Sequence, residues 1–249
     1  MQEIENNGGL DSKEGLISQQ LQNIKKNRGD IVDLYWNIYV AADKILKDAL
    51  KKNFKKGAMV DIRSVVKYFG IEVSESEMHS NRNYFENEVM GFIDVYKNQE
   101  SCKGTIYINR ALGDLSKRYV IAHEFAHYFF RNMGDEKRNY CIKVLFPGTV
   151  VEQFCDIMAS FLLMPIESVL ILLKEYVDLK REEGVCPVPT EGWMRYLGYN
   201  LKVSDYHVVV SYQHVLYLGG ILRDKEFKGN DSDDLDIFVD MNEYKELLC

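Results

Sequence analysis

Between residues 30 and 54, apolar side chains recur at three- and four-residue steps (Ile31, Leu34, Ile38, Ala41, Ile45 and Ala49), which predicts an amphipathic helix. A second helix is predicted over residues 61–69, closed by Gly70, and residues 71–73 read as a short strand. Residues 89–96 and 105–109 are rich in β-branched and aromatic side chains and predict two strands. The polar stretch 97–104 joins them as a hairpin or a neighbouring pair. Ser116 stands where it would cap the next helix, which runs to about residue 131. Another helix is predicted from near Val150 to just before Pro165, whose missing amide donor ends the ladder. A further one spans residues 166–183. Beyond Pro187 and Pro189, which mark a linker, residues 192–222 predict two short helices joined near Val203 and Ser204. An acidic stretch at 231–236 then precedes a last short helix.

These elements predict an α+β fold, mostly helical with a small β-sheet. Residues 1–28 form a polar arm, 29–186 the main domain, and 187–249 a C-terminal helical region with an acidic tail. The chain has 249 residues, 46% hydrophobic and 28% charged, enough to bury a substantial core. No apolar run approaches the roughly 18 residues of a transmembrane helix. The N-terminus lacks the basic-then-apolar pattern of a signal peptide, so a cytoplasmic location with no membrane partner is expected. Five cysteines (102, 141, 155, 186 and 249) form no Cys-x-x-Cys pair, which speaks for reduced thiols and against a cysteine-zinc cluster. The net charge of −7 argues against direct nucleic-acid binding. Two features favour it: the basic run Lys44, Lys47, Lys51, Lys52, Lys55 and Lys56, which reads as a solvated helix face, and residues 201–219, which could mimic a helix-turn-helix.

Candidate chemistry concentrates in His123-Glu124-Phe125-Ala126-His127. Two histidines four residues apart on a helix leave the same face one turn apart, and so supply two of the ligands that tetrahedral zinc needs about 2 Å away. Glu124, offset by one residue, reaches a water beside the metal and not the metal itself, as a general base must. Chance places this pattern in roughly one such chain in a hundred. The uncharged flanks Val120-Ile-Ala122 and Tyr128-Phe-Phe130 would keep the surroundings dry. Glu152 lies 25 residues beyond His127 in the first turn of the helix predicted after Val150, with Asp156 one turn further on. Two readings stay open for Glu152: a third ligand, with Asp156 accepting an imidazole N–H, or a carboxylate that merely complements the helix N-terminus. His79, His207 and His214 read as surface or packing residues. Cys155 reads as a buried small side chain in preference to a redox switch.

Three stretches resemble the ImmA/IrrE family of metallopeptidases. Residues 60–73 are similar to the family's opening helix and strand. Ile106-Tyr-Ile-Asn109, running into Arg118-Tyr-Val-Ile-Ala-His-Glu-Phe-Ala-His-Tyr128, is similar to its strand ending in Asn and its Ala-His-Glu-x-x-His helix. Glu152-x-x-Cys-Asp-x-Met-Ala-x-x-Leu-Leu-Met-Pro165 resembles a third block, with Cys155 in place of the usual Ala and Met158 in place of the usual Phe. The resemblance covers roughly residues 58–170. It implies a zincin-like fold of the small gluzincin type, with zinc held by His123, His127 and Glu152 and with Glu124 as catalytic base. It further implies cleavage of a DNA-binding helix-turn-helix repressor of a mobile element or stress regulon. The rival expectation is a zinc-bound regulator that binds a partner protein without cleaving it. Glu124 weighs against that rival, because a purely structural site needs no base.

Overall fold

The computed structural model describes residues 31–51, 54–78, 89–97, 102–130, 139–142, 150–184, 191–204 and 206–208. The expected N-terminal arm, the Pro187–Pro189 linker, His79, His214 and the acidic tail lie outside them. Helix α1 (Ile31–Leu50) is followed by α2 (Ile62–Tyr68) and strand β1 (Ile71–Ser76). Then come β2 (Val89–Lys97), β3 (Cys102–Asn109), helix α3 (Asp114–Phe130) and β4 (Asn139–Ile142). Helices α4 (Val150–Leu163), α5 (Ile166–Glu182) and α6 (Glu191–Leu201) complete the order. The architecture is α+β, as the sequence pattern predicts.

Helix α2 shows how local chemistry sets the boundaries. The Asp61 side chain caps its start, accepting from the Ser64 amide at 3.2 Å and from the Ser64 hydroxyl at 2.6 Å. Gly70 ends it in the left-handed region at φ 74°, which turns the chain directly into β1. The sheet order is β1-β3-β2-β4, with β1 parallel to β3 and the other pairs antiparallel. Gly104, Ile106 and Ile108 of β3 are buried toward the helices, with Gly91 and Ile93 of β2 beside them. On the other face Phe92 stacks on Tyr107 with centroids 4.9 Å apart. This alternation is the period of two expected of a sheet with one covered face.

Helix α3 lies on β2 and β3, α4 packs along α3, and α1 closes over α4. Phe69 at the end of α2 wedges against Phe125 and Phe129 of α3, at 5.4 and 5.6 Å between centroids. As a result α3 is buried without a break from Val120 to Tyr128. Arg118 ties the far side together. Its Nη1 donates to the Val60 carbonyl at 2.9 Å, its Nε to the Lys202 carbonyl at 3.0 Å and its Nη2 to the Leu201 carbonyl at 3.4 Å. Helix α6 packs on α5 and buries Trp193, Leu197 and Leu201.

The structure departs from the expected elements in several places, strand β1 among them, which pairs with β3 as far as Ser76 and not only to Val73. Helix α3 begins at Asp114, before Ser116, because the Lys117 amide already donates to the Gly113 carbonyl at 2.9 Å. The hairpin strands run on to Lys97 and start at Cys102, since ladder pairing extends through the polar pairs Tyr96–Lys103 and Lys97–Cys102. Strand β4 was not expected at all. It is only four residues long and is defined by its pairing to β2, around a register shift between Val89 and Gly91.

Among the described residues no single helix is long and apolar enough to cross a membrane. Helices α4 and α5 pass that test only as a pair bent by 54°. Most of their apolar side chains are packed inside the protein.

Gly91 leaves room on the sheet for Val120 of α3. A Cβ there would lie 2.4 Å from Val120 Cγ1 and 2.8 Å from the Tyr107 carbonyl oxygen. Gly91→Ala is therefore expected to destabilise the protein by about 1–3 kcal/mol, the usual range for overpacking. Chemical denaturation checks this. Adding Val120→Ala should recover only part of the loss, because the clash with the backbone oxygen remains.

Candidate metal centre

The site is built where α3 and α4 pack side by side. Its helices bury every side chain that the motif contributes: His123 is 3% exposed, and Glu124 and His127 are fully buried. The four-residue spacing of His123 and His127 brings their Nε2 atoms to 3.1 Å from each other. Glu152 enters from the first turn of α4. Its Oε2 lies 3.1 Å from His123 Nε2 and its Oε1 lies 3.4 Å from His127 Nε2. Nothing in the helix register alone requires this. The packing of α4 along α3 makes Glu152 face the two imidazoles, which favours the ligand reading over a mere complement to the helix N-terminus.

The triangle suits a tetrahedral metal. Ligand atoms about 2.0–2.1 Å from zinc stand about 3.3 Å from one another, close to the separation of the two imidazole nitrogens and of each from the nearer Glu152 oxygen. The donor set, two imidazole nitrogens and a carboxylate, is also one that catalytic zinc takes, with a fourth position left for water. His123, His127 and Glu152 are the group among the described residues that gathers three such ligand atoms, all within 4.8 Å of one another.

Asp156, one turn after Glu152, completes the surroundings. Its Oδ1 lies 2.8 Å from Nδ1 of His123. A proton held on Nδ1 leaves the Nε2 lone pair to face the ligand triangle, the arrangement that orients metal-binding histidines generally. The Tyr119 hydroxyl donates to the same Oδ1 at 2.7 Å.

The electrostatics follow from this crowding. Burial disfavours a charged imidazole at His123, but the Asp156 and Glu152 carboxylates outweigh it and raise the pKa to about 10. Burial likewise works against charge on Glu152, and the hydrogen bonds to His123 and His127 overcome it, lowering the pKa to about 2.

The structure also brings in a residue that the sequence pattern did not connect to the site. His207, expected to be a surface or packing residue, is buried and lies flat on Tyr119, with centroids 3.6 Å apart and planes 10° apart. Burial pushes its pKa down to about 4. It has no helical partner near the motif in sequence, so only the tertiary fold reveals the contact. Cys155 is buried, as expected. Of the basic run, Lys47 pairs with Asp43 at 2.8 Å and Lys56 with Glu167 at 2.9 Å. Both keep more than half of their side-chain surface in solvent.

A profile of the IrrE N-terminal-like domain, peptidase family M78, matches residues 66–205, more than half of the chain. The chain belongs to this family. Comparison with curated proteins gives no match. The family is one of metallopeptidases, and the matched stretch contains α3, α4 and all three members of the triangle.

Metal uptake is expected to release a proton. His123 is charged in the metal-free protein at pH 7 because its pKa lies above neutrality. Glu152, with its pKa lowered to about 2, has no proton to give. Zinc affinity should therefore rise with pH from neutrality toward about 10, as His123 loses its proton more readily. Calorimetric titration at pH 7 in buffers of different ionisation enthalpy should show at least one proton released per zinc. Release of none would mean that the metal does not displace the His123 proton.

Proposed function

We propose that the protein is a zinc-dependent endopeptidase acting in the cytoplasm on a protein substrate, a DNA-binding helix-turn-helix repressor. The observation that carries the catalytic reading is the convergence of His123, His127 and Glu152 on one point, with Glu124 on the same buried helix, in a chain of a metallopeptidase family. His123, His127 and Glu152 would hold the metal. When bound, zinc lowers the pKa of its water toward about 7 and polarises a peptide carbonyl.

The chain's own groups supply the rest. Glu124 takes the proton of the attacking water onto its carboxylate and returns it to the amine that leaves. Asp156 keeps His123 oriented through Nδ1. The apolar packing of Phe125, Tyr128 and Phe130 around α3 keeps bulk water from competing for the buried charges. The repressor substrate is supported by the resemblance to ImmA/IrrE proteins. It also suits the net charge of −7, which favours the approach of a basic DNA-binding partner.

The test joins metal content to cleavage of a repressor encoded next to the protein's own gene. Wild type should hold one zinc per chain and cut the repressor. Glu152→Ala should lose the metal. Glu124→Gln should keep it and lose cleavage by about 100- to 10,000-fold, the span expected for general acid–base catalysis. A wild type that holds zinc and binds the repressor but leaves it intact would favour the regulator that acts without proteolysis.

A further inference from the structure

Tyr119 and His207 are not members of the ligand triangle, yet they form a continuous link to it, and the Tyr119 ring itself lies 6.0 Å from that of His123 between centroids. One oxygen, Asp156 Oδ1, receives the Tyr119 hydroxyl at 2.7 Å and lies 2.8 Å from His123 Nδ1. The Tyr119 ring is covered by the His207 imidazole, 3.6 Å away and nearly parallel. His207 is held in turn by Ser204, whose Oγ lies 2.6 Å from Nδ1 and accepts the His207 backbone amide at 3.5 Å. The Val208 amide donates to the Ser204 carbonyl at 2.8 Å, so the short helical turn carrying His207 is closed on itself. His207 lies just beyond the stretch that matches the family profile.

We infer that Tyr119 and His207 are positioning residues for the ligand His123, acting through Asp156. The inference rests on the metal-centre reading proposed above. Its physical basis is the exposure of Asp156, whose side chain is 43% accessible. A carboxylate that open to water can exchange His123 for solvent unless something else fixes it. The Tyr119 hydroxyl does so from the neighbouring helix, because a second donor on the same oxygen leaves little rotational freedom. The His207 ring covers Tyr119 and restricts its swing toward solvent. The segment after α6 is thereby coupled to the orientation of a metal ligand on α3.

The experiment uses the full chain stripped of metal, with zinc affinity read by chelator competition and ligand geometry by the visible spectrum of the cobalt-loaded form. The metal-free thermal midpoint is recorded in parallel. Tyr119→Phe keeps the ring and its stack but removes the donor. It should weaken zinc binding about tenfold, the lower end of what outer partners of metal-binding histidines contribute, and perturb the cobalt bands. Its metal-free midpoint should stay at the wild-type value. His207→Ala should weaken binding about threefold, in keeping with loss of a stacked ring, and His207→Phe should restore it.

Zinc affinity in Tyr119→Phe equal to or above that of wild type would overturn the inference. So would a loss of affinity matched by an equal loss of metal-free stability, which marks a structural role alone. A wild type that binds neither zinc nor cobalt is a different failure, because it removes the metal centre itself and this inference with it.

Discussion

The structure depends on a single costly arrangement: two buried imidazole nitrogens and a carboxylate pressed within about hydrogen-bond distance of one another between two packed helices. Polar groups in such a place are expensive unless they are paired. Here they are paired with each other, with Asp156 and, in the metal-free state, with a proton on His123. The surrounding fold makes this possible. Helix α3 is enclosed by the sheet on one side, α4 on another and Phe69 at its flank, so that His123 and His127 have little room to turn outward. A divalent cation suits the same space, because it replaces the proton and satisfies both nitrogens together.

Much of the site was legible in the sequence because it is local. Helical periodicity puts His123 and His127 on one face and Glu124 off it, and Glu152 and Asp156 are one turn apart on the next helix. What periodicity leaves open is how the two helices pack, and hence whether Glu152 faces the histidines or solvent. The resemblance to ImmA/IrrE proteins pointed to a ligand, and the packing of α4 along α3 brings the carboxylate to them. The main helices were equally legible from their apolar stripes, and Asp61 and Gly70 bound α2 with ordinary capping chemistry.

The features that were missed share a physical reason: they are made by long-range contacts that carry no local signal. Strand β4 is too short to show alternation and exists through pairing with β2. The hairpin ends continue through polar residues whose ladder bonds do not depend on side-chain type. The start of α3 lies before Ser116 because the Gly113 carbonyl is the first backbone acceptor, a contact that needs no side-chain cap and leaves no mark in the sequence. His207 reads in the sequence as a surface or packing residue; it is buried, and its stacking partner Tyr119 lies 88 residues earlier in the chain.

That separation explains how the parts of the molecule are divided between foundation and adjustment. Residues 66–205 contain His123, Glu124, His127, Glu152 and the sheet that supports them. Arg118 fastens this core to the end of α6 by donating to the carbonyls of Leu201 and Lys202. Tyr119, the next residue on α3, meets the segment that follows through His207. Two adjacent side chains on the metal-bearing helix therefore grip the same stretch of chain, one through charge-assisted hydrogen bonds and the other through a ring face. Helix α3 is buried throughout Val120–Tyr128. A shift of residues 201–207 would consequently be felt less by the helix backbone than by the side chains that reach across from it. Of those, Tyr119 alone is also bonded to the carboxylate that faces His123.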